Sequence, residues 1–114
     1  MNVSTEINNA ITVARLDGRL DAAAVRNHRE ELKKATEALD KWMILNMENV
    51  DFIDSSGLGL IVSLVRNARE NNADVAISNL SAQAQTLFEL TRMTRIFSIY
   101  SDENAALDSL SKVN

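Results

Sequence analysis

The stretch Val50-Asp51-Phe52-Ile53-Asp54-Ser55-Ser56-Gly57-Leu58-Gly59-Leu60 changes character in its middle. Residues suited to a strand end give way to an acidic, hydroxyl-rich turn, and from Leu58 to about Glu70 the apolar spacing is helical. Free backbone amides at a helix start carry partial positive charge and suit anions, including phosphate. Gly57 and Gly59 keep the backbone there unshielded. Two adjacent hydroxyls at such a point, Ser55 and Ser56, are either helix caps or a modification site.

Upstream of the turn, Trp42-Met43-Ile44-Leu45-Asn46-Met47 is a nearly continuous apolar run, as expected of a strand covered on both faces. Residues 48–53 read as a loop carrying Val50 and Phe52 into the turn. Earlier still, Asp21 is suited to cap a helix over about 22–39, in which Val25, Leu32, Ala35 and Leu39 recur at helical spacing. Glu30 with Lys34 and Glu37 with Lys41 are i,i+4 pairs in the favourable order. Residues 3–7 and 10–16 read as two short strands turning at Asn8-Asn9, and Asp17-Gly18 offers a bend.

Downstream, Val75-Ala76-Ile77 reads as another buried strand. Ser81 is placed to cap a helix through Ala84, Leu87, Phe88 and Leu90. Ile96 to Tyr100 reads as a last strand, and Asp102 as the cap of a final helix through Ala106, Leu107 and Leu110. Strands and helices that alternate from residue 41 onward imply parallel strands with crossover helices, and the opening hairpin adds an antiparallel part. The expected fold is therefore α/β: one domain over residues 1–114, with a mixed sheet of about four or five strands, about four α-helices and an N-terminal β-hairpin.

Composition narrows the function. With 114 residues, 46% of them hydrophobic, the chain is large enough to bury a core without metal or disulfide staples. Cysteine is absent, which removes disulfides and thiolate chemistry and agrees with a cytoplasmic location. Proline is absent and glycine occurs only at 18, 57 and 59, so long elements are expected and a flexible linker is not. The amino terminus shows no signal-peptide pattern. The longest apolar stretches, Trp42 to Leu45 and Leu58 to Val62, fall far short of the roughly 20 residues a membrane span needs. The net charge is −4, from 12 basic and 16 acidic residues, and Lys33-Lys34 is neutralised by Glu30-Glu31. Nucleic-acid backbones are bound by clustered Lys and Arg, and no such cluster is present.

The chain resembles the STAS domain, the family of bacterial anti-sigma factor antagonists. The resemblance rests on Asp54-Ser55-Ser56-Gly57-Leu58-Gly59 following Val50-x-Phe52-Ile53. Leu16-x-Gly18-x-Leu20-Asp21 before the first long helix and the later Leu90…Ile96-Phe97…Ala106-Leu107 pattern extend it over roughly residues 10 to 110. It implies that an anti-sigma factor with serine kinase activity phosphorylates Ser55, with Ser56 as helix cap or backup and Asp54 as the acidic neighbour. It implies also that a metal-dependent serine phosphatase reverses the modification. The unphosphorylated form would bind the anti-sigma factor and free the sigma factor. The implied partner face comprises Asp21, Asp54, Leu58, Leu60, Ser63, Leu64 and Asn67. The expected protein is cytoplasmic, monomeric when free, without cofactor or metal, and not an enzyme. Two departures from the family pattern lie outside the serine turn: Asn71-Asn72-Ala73-Asp74 where glycines are usual, and His28 where an aliphatic residue is usual. Asparagine tolerates left-handed backbone, so the first turn can survive.

Other readings of the same residues are weaker. Serine catalysis needs a base within reach, and the only histidine, His28, falls on the apolar stripe of a different helix, as a partly buried structural residue. The Gly-x-Ser-x-Gly elbow of hydrolases is missing, and Gly57-Leu58-Gly59 lacks the third glycine and the lysine of nucleotide-binding loops. The methionines are scattered without ligand spacing. On a helical wheel Leu58, Ile61, Val62, Val65 and Ala68 form one arc, with Leu60 and Leu64 mostly outside it. That leaves these two leucines either under neighbouring elements or in a contact patch for a partner beside Ser55. A non-switching STAS accessory or scaffold subunit is the alternative function, and the intact serine turn favours the switch over it. A phosphorelay receiver needs an acidic pair after its first strand and a late lysine, which Asp51 and Asp54 do not supply.

Overall fold

The computed structural model describes residues 1–112. Its elements run β1 (Asn2–Asn8), β2 (Ile11–Leu20), α1 (Ala22–Glu37), β3 (Trp42–Ile53), α2 (Ser55–Glu70), β4 (Asp74–Ser78), α3 (Ala82–Leu90), β5 (Ser98–Tyr100) and α4 (Glu103–Ser111). One sheet takes the strands in chain order, with β1 antiparallel to β2 and every later pair parallel. The mixed five-stranded sheet, four α-helices and opening hairpin are those expected from the sequence.

Several boundaries differ from that reading, each for a local reason. The hairpin turns at Asn9-Ala10, not at Asn8-Asn9; both turn residues have positive φ, 51° and 68°, the conformation a two-residue hairpin loop requires. Asp17-Gly18 does not end the strand. The ladder between β2 and β3 shifts register around these residues, Gly18 takes φ 114°, and β2 continues to Leu20. The expected loop over 48–53 is the second half of β3, held in the sheet by Asn49 to Ile53 pairing with β2. The last strand begins at Ser98, after a short 3₁₀ turn over Met93–Arg95. At the end of α2, Asn72 adopts φ 62°. The amides of Asn72 and Ala73 bond back to the carbonyls of Arg69 and Ala68 at 3.2 and 2.9 Å, so asparagine closes the helix where glycine is usual.

Side-chain alternation along β3 sorts the two faces. Met43, Leu45 and Met47 share a buried cluster with residues of α1, α2 and α3, while Ile44 joins Ile11, Val13 and Ala76 under Ala106 and Leu110 of α4. Three helices thus cover one face and α4 alone covers the other.

The α4 face carries a polar cluster as well. Arg15 donates to both carboxylate oxygens of Glu103, at 3.0 and 2.9 Å, and also pairs with Glu6 of β1; Asn46 donates to Glu103 at 2.9 Å. The Arg15 guanidinium, then Asn46, holds the Glu103 carboxyl below the ordinary carboxylate range. A carboxylate depressed in the fold contributes stability above its unfolded pKa and loses it as the pH falls through the folded one. Glu103→Gln is therefore expected to cost no more than about 1 kcal/mol at neutral pH, since Arg15 stays partly solvated. The deficit should vanish once the pH is well below the usual carboxylate range, about 4. Melting curves of both proteins across pH check this, and a deficit that persists in acid contradicts it.

Candidate functional site

Parallel β2 and β3 end at the same edge of the sheet, with Leu20 opposite Ile53. Each is followed by an aspartate that caps the next helix: Asp21 accepts from the Ala24 amide at 3.1 Å, and Asp54 from the Gly57 amide at 3.0 Å. Both caps have nearly the same backbone, φ −116° and −114° with ψ −172°, so two alike βα turns stand side by side. The Ala24 amide, then Arg19, lowers the pKa of Asp21. The Arg19 guanidinium also lies 4.2 Å from the centroid of the Phe52 ring, which joins the two strand ends at the surface.

The first turn of α2 is pressed against the end of β2. The Asp54 amide bonds to the Leu20 carbonyl at 3.4 Å, and a Cβ placed on Gly57 would lie 2.2 Å from that same oxygen. Only glycine allows this approach, because the obstacle is backbone and cannot swing away. On the opposite flank β4 pairs with β3 only as far as Asn46. The side-chain amide of Gln83 on α3 does the work of the missing strand there: it donates to the Ile53 carbonyl at 2.9 Å and accepts from the Ile53 amide at 3.1 Å. The residue just before Asp54 is thereby satisfied on both backbone groups, as buried backbone requires.

In this frame α2 begins at Ser55, earlier than the apolar spacing alone indicates. The cap is Asp54, so neither serine serves as one. Ser55 and Ser56 are exposed in the first turn, and neither hydroxyl makes a hydrogen bond among the described residues. Gly59 is exposed one turn further on.

The remaining residues expected at the partner face separate into two groups. Leu58, Leu60 and Leu64 are buried in the main core, the last two at 1% exposure each, so the contact-patch reading of Leu60 and Leu64 is corrected. The reason is tertiary. α1 lies along α2, and the Asn67 side chain is tied to Thr36 of α1 at 2.7 Å, so α2 has two covered flanks and its apolar arc is wider than one face requires. Ser63 donates to the Leu60 carbonyl within α2 itself at 2.7 Å, while Asn67 also reaches the Lys33 carbonyl of α1 across the helix–helix seam at 3.3 Å. Asp21, Asp54, Ser55, Ser56 and Gly59 are the members that the fold gathers at one accessible edge. His28 is half-buried at the rim of α1 with Nδ1 against Glu31, and no hydrogen bond links it to either serine.

Gln83 and Arg19 carry no local signal in the sequence, and Phe52 enters it only through the Val50-x-Phe52-Ile53 part of the resemblance. Gln83 reaches its partner across 30 residues of sequence, and only the early end of β4 leaves Ile53 for it to bond. Among the described residues no three His, Asp or Glu side chains are grouped to hold a metal ion, and no helix is long and apolar enough to cross a membrane.

The chain belongs to a known family: residues 2–106 match the STAS domain. The anti-sigma F factor antagonist of Paenibacillus polymyxa is 24% identical over 100% of this chain and 98% of its own. The anti-sigma factor antagonist SpoIIAA in its unphosphorylated form superposes with a TM-score of 0.78 at 25% identity, covering 99% of this chain and 100% of that one. The Bacillus cell-fate determinant SpoIIAA in its phosphorylated form gives 0.72 at 25% identity, covering 96% and 99%.

Proposed function

We propose that this protein is an anti-sigma factor antagonist that acts by partner switching, as a binding regulator and not an enzyme, in the cytoplasm. Unphosphorylated, it binds an anti-sigma factor with serine kinase activity; phosphorylation of Ser55 releases that partner, and a metal-dependent serine phosphatase restores binding. The observation that carries this reading is the state of Ser55. Its hydroxyl is exposed, has no hydrogen bond among the described residues and stands on the first residue of α2, while Asp54 satisfies the helix start. A hydroxyl kept for capping would be engaged with the amides of the first turn. Similarity to SpoIIAA, solved in both unphosphorylated and phosphorylated forms, supports the same reading over that of a non-switching scaffold.

The site of modification is tested by incubating the protein with ATP and the anti-sigma serine kinase of its source organism. Wild type and Ser56→Ala are expected to take up one phosphate, mapped by mass spectrometry to Ser55, and Ser55→Ala none. Stoichiometric labelling of Ser55→Ala, abolished instead by Ser56→Ala, would move the switch by one residue. Absence of label on both serines would favour the scaffold.

A further inference from the structure

The two margins of the sheet are unlike. β5 is three residues long, whereas β1 runs seven residues and pairs with β2 without a break in register. Among the described residues no strand lies on the other side of β1. Open edges are commonly guarded by shortness, by lysine or proline, or by a bulge. β5 has the first of these, and β1, Asn2-Val3-Ser4-Thr5-Glu6-Ile7-Asn8, has none. All of its residues except Val3 are exposed, Ile7 at 76%, and its one charged side chain, Glu6, is paired with Arg15 of β2.

The hairpin fixes which backbone groups face outward. With both loop residues at positive φ, Asn8 and Ile11 are the bonded pair that closes a two-residue turn. Bonding alternates along an antiparallel ladder, so Asn8, Glu6, Ser4 and Asn2 bond inward to β2. Val3, Thr5 and Ile7 therefore turn their amides and carbonyls to the open edge. A second β1 laid antiparallel about a twofold axis at Thr5 matches all three, Thr5 against Thr5 and Val3 against Ile7 on either side. Each matched pair exchanges two bonds, about six in all. Moving the axis to Ser4 leaves Ile7 unmatched, and moving it to Glu6 leaves Val3 unmatched and sets two glutamates face to face. Side chains agree with the backbone. Val3, Thr5 and Ile7 lie on the side of the sheet where Val3 packs against the main core, so the same register lays Ile7 across the seam onto Val3.

We propose that two copies of this chain pair through β1, antiparallel about an axis at Thr5, joining their sheets into one. The occupant of the edge is a second copy because a twofold contact needs a patch that complements itself, and this register supplies one in bonds, apolar pairs and charge. The inference is independent of the switch reading of Ser55, and it departs from the free monomer expected from the sequence. A contact of one strand from each copy is small, so the pairing is weak, with a dissociation constant of about 10 μM to 1 mM.

The test is sedimentation equilibrium of the full chain from about 10 μM to about 1 mM, with melting temperatures measured on the same samples. The mass of wild type is expected to rise from monomer toward dimer over that range. Thr5→Pro removes an outward amide at the axis and leaves the inward ladder untouched, as proline on an edge strand does. Thr5→Lys sets two ammonium groups face to face. Each should weaken self-association at least about tenfold and melt within about 8 °C of wild type; the lysine variant carries the test if proline disturbs the strand. Asn2→Lys puts the same charge opposite Asn8 and should dimerise within about twofold of wild type. Wild type that stays monomeric at about 1 mM would overturn the pairing, and so would Thr5→Lys that dimerises as wild type does. A loss in Asn2→Lys as large as that in Thr5→Lys would overturn the register.

Discussion

Leu60→Asp is expected to leave the chain unfolded or nearly so at 25 °C. Leu60 is 1% exposed, in the cluster that also holds Leu64, Val65 and Leu32 of the neighbouring helix. Truncating such a leucine to alanine costs about 2–5 kcal/mol through lost transfer energy and the cavity left behind. Aspartate adds an unpaired charge, which in a dry site costs several kcal/mol more whether it stays ionised or shifts its pKa and takes up a proton. A domain of this size has only about 5–15 kcal/mol in total, so the sum approaches or exceeds what is available. Leu60→Met conserves volume and should cost less than about 1.5 kcal/mol. Chemical denaturation followed by circular dichroism separates the outcomes. A cooperative transition for Leu60→Asp within about 1 kcal/mol of wild type is the expectation for a surface position, and would return Leu60 to the partner face.

The contrast between Leu60 and Ser55 marks where the sequence is legible. Asp21, Ser81 and Asp102 are recognisable as caps because capping is a relation between a side chain and an amide three residues on, and all three make that bond. At Asp54 the same local rule holds, but two following serines are equally good candidates in sequence, and geometry alone chooses the aspartate. The parallel order of the sheet follows from the alternation of elements, a pattern that is likewise read locally. The burial of Leu60 and Leu64 is not local. It depends on α1 lying along α2, and a helical wheel drawn for one helix has no knowledge of its neighbour. The second half of β3 is hidden for a related reason: Glu48, Asn49 and Asp51 break the apolar run and are exposed, while pairing with β2 keeps the backbone extended. Gln83 is the extreme case, a polar residue on an ordinary helix face whose role exists only because β4 stops short of Ile53.

Phosphorylation of Ser55 is expected to weaken binding of the anti-sigma kinase by more than about a hundredfold while leaving the fold intact, and the physical reasons for the two effects differ. Within the domain the phosphate adds about −1.5 to −2 charges and three acceptor oxygens on the first residue of α2. The helix start favours it by roughly 0.3–1 kcal/mol at an exposed site. Asp54, the cap one residue before, opposes it by like-charge repulsion. The two nearly cancel, so the melting temperature should move by less than about 4 °C, the shift that corresponds to roughly 1 kcal/mol. A partner shaped to cover a neutral hydroxyl has no such cancellation. It must strip water from a dianion beside an acidic turn, and unpaired buried charge is costly. A penalty of only ~3 kcal/mol already exceeds a hundredfold in affinity. Ser55→Glu supplies one charge of the wrong shape and should reproduce part of the loss, whereas Ser55→Ala should bind as tightly as the unphosphorylated protein and stay bound in the presence of ATP. Titration of the kinase with each form, beside melting curves of the same samples, separates a blocked surface from a broken fold. Equal affinity for phosphorylated and unphosphorylated protein would refute the mechanism, and a fall of 10 °C or more in melting temperature, roughly 2 kcal/mol or beyond, would replace surface blocking with local unfolding of the first turn of α2.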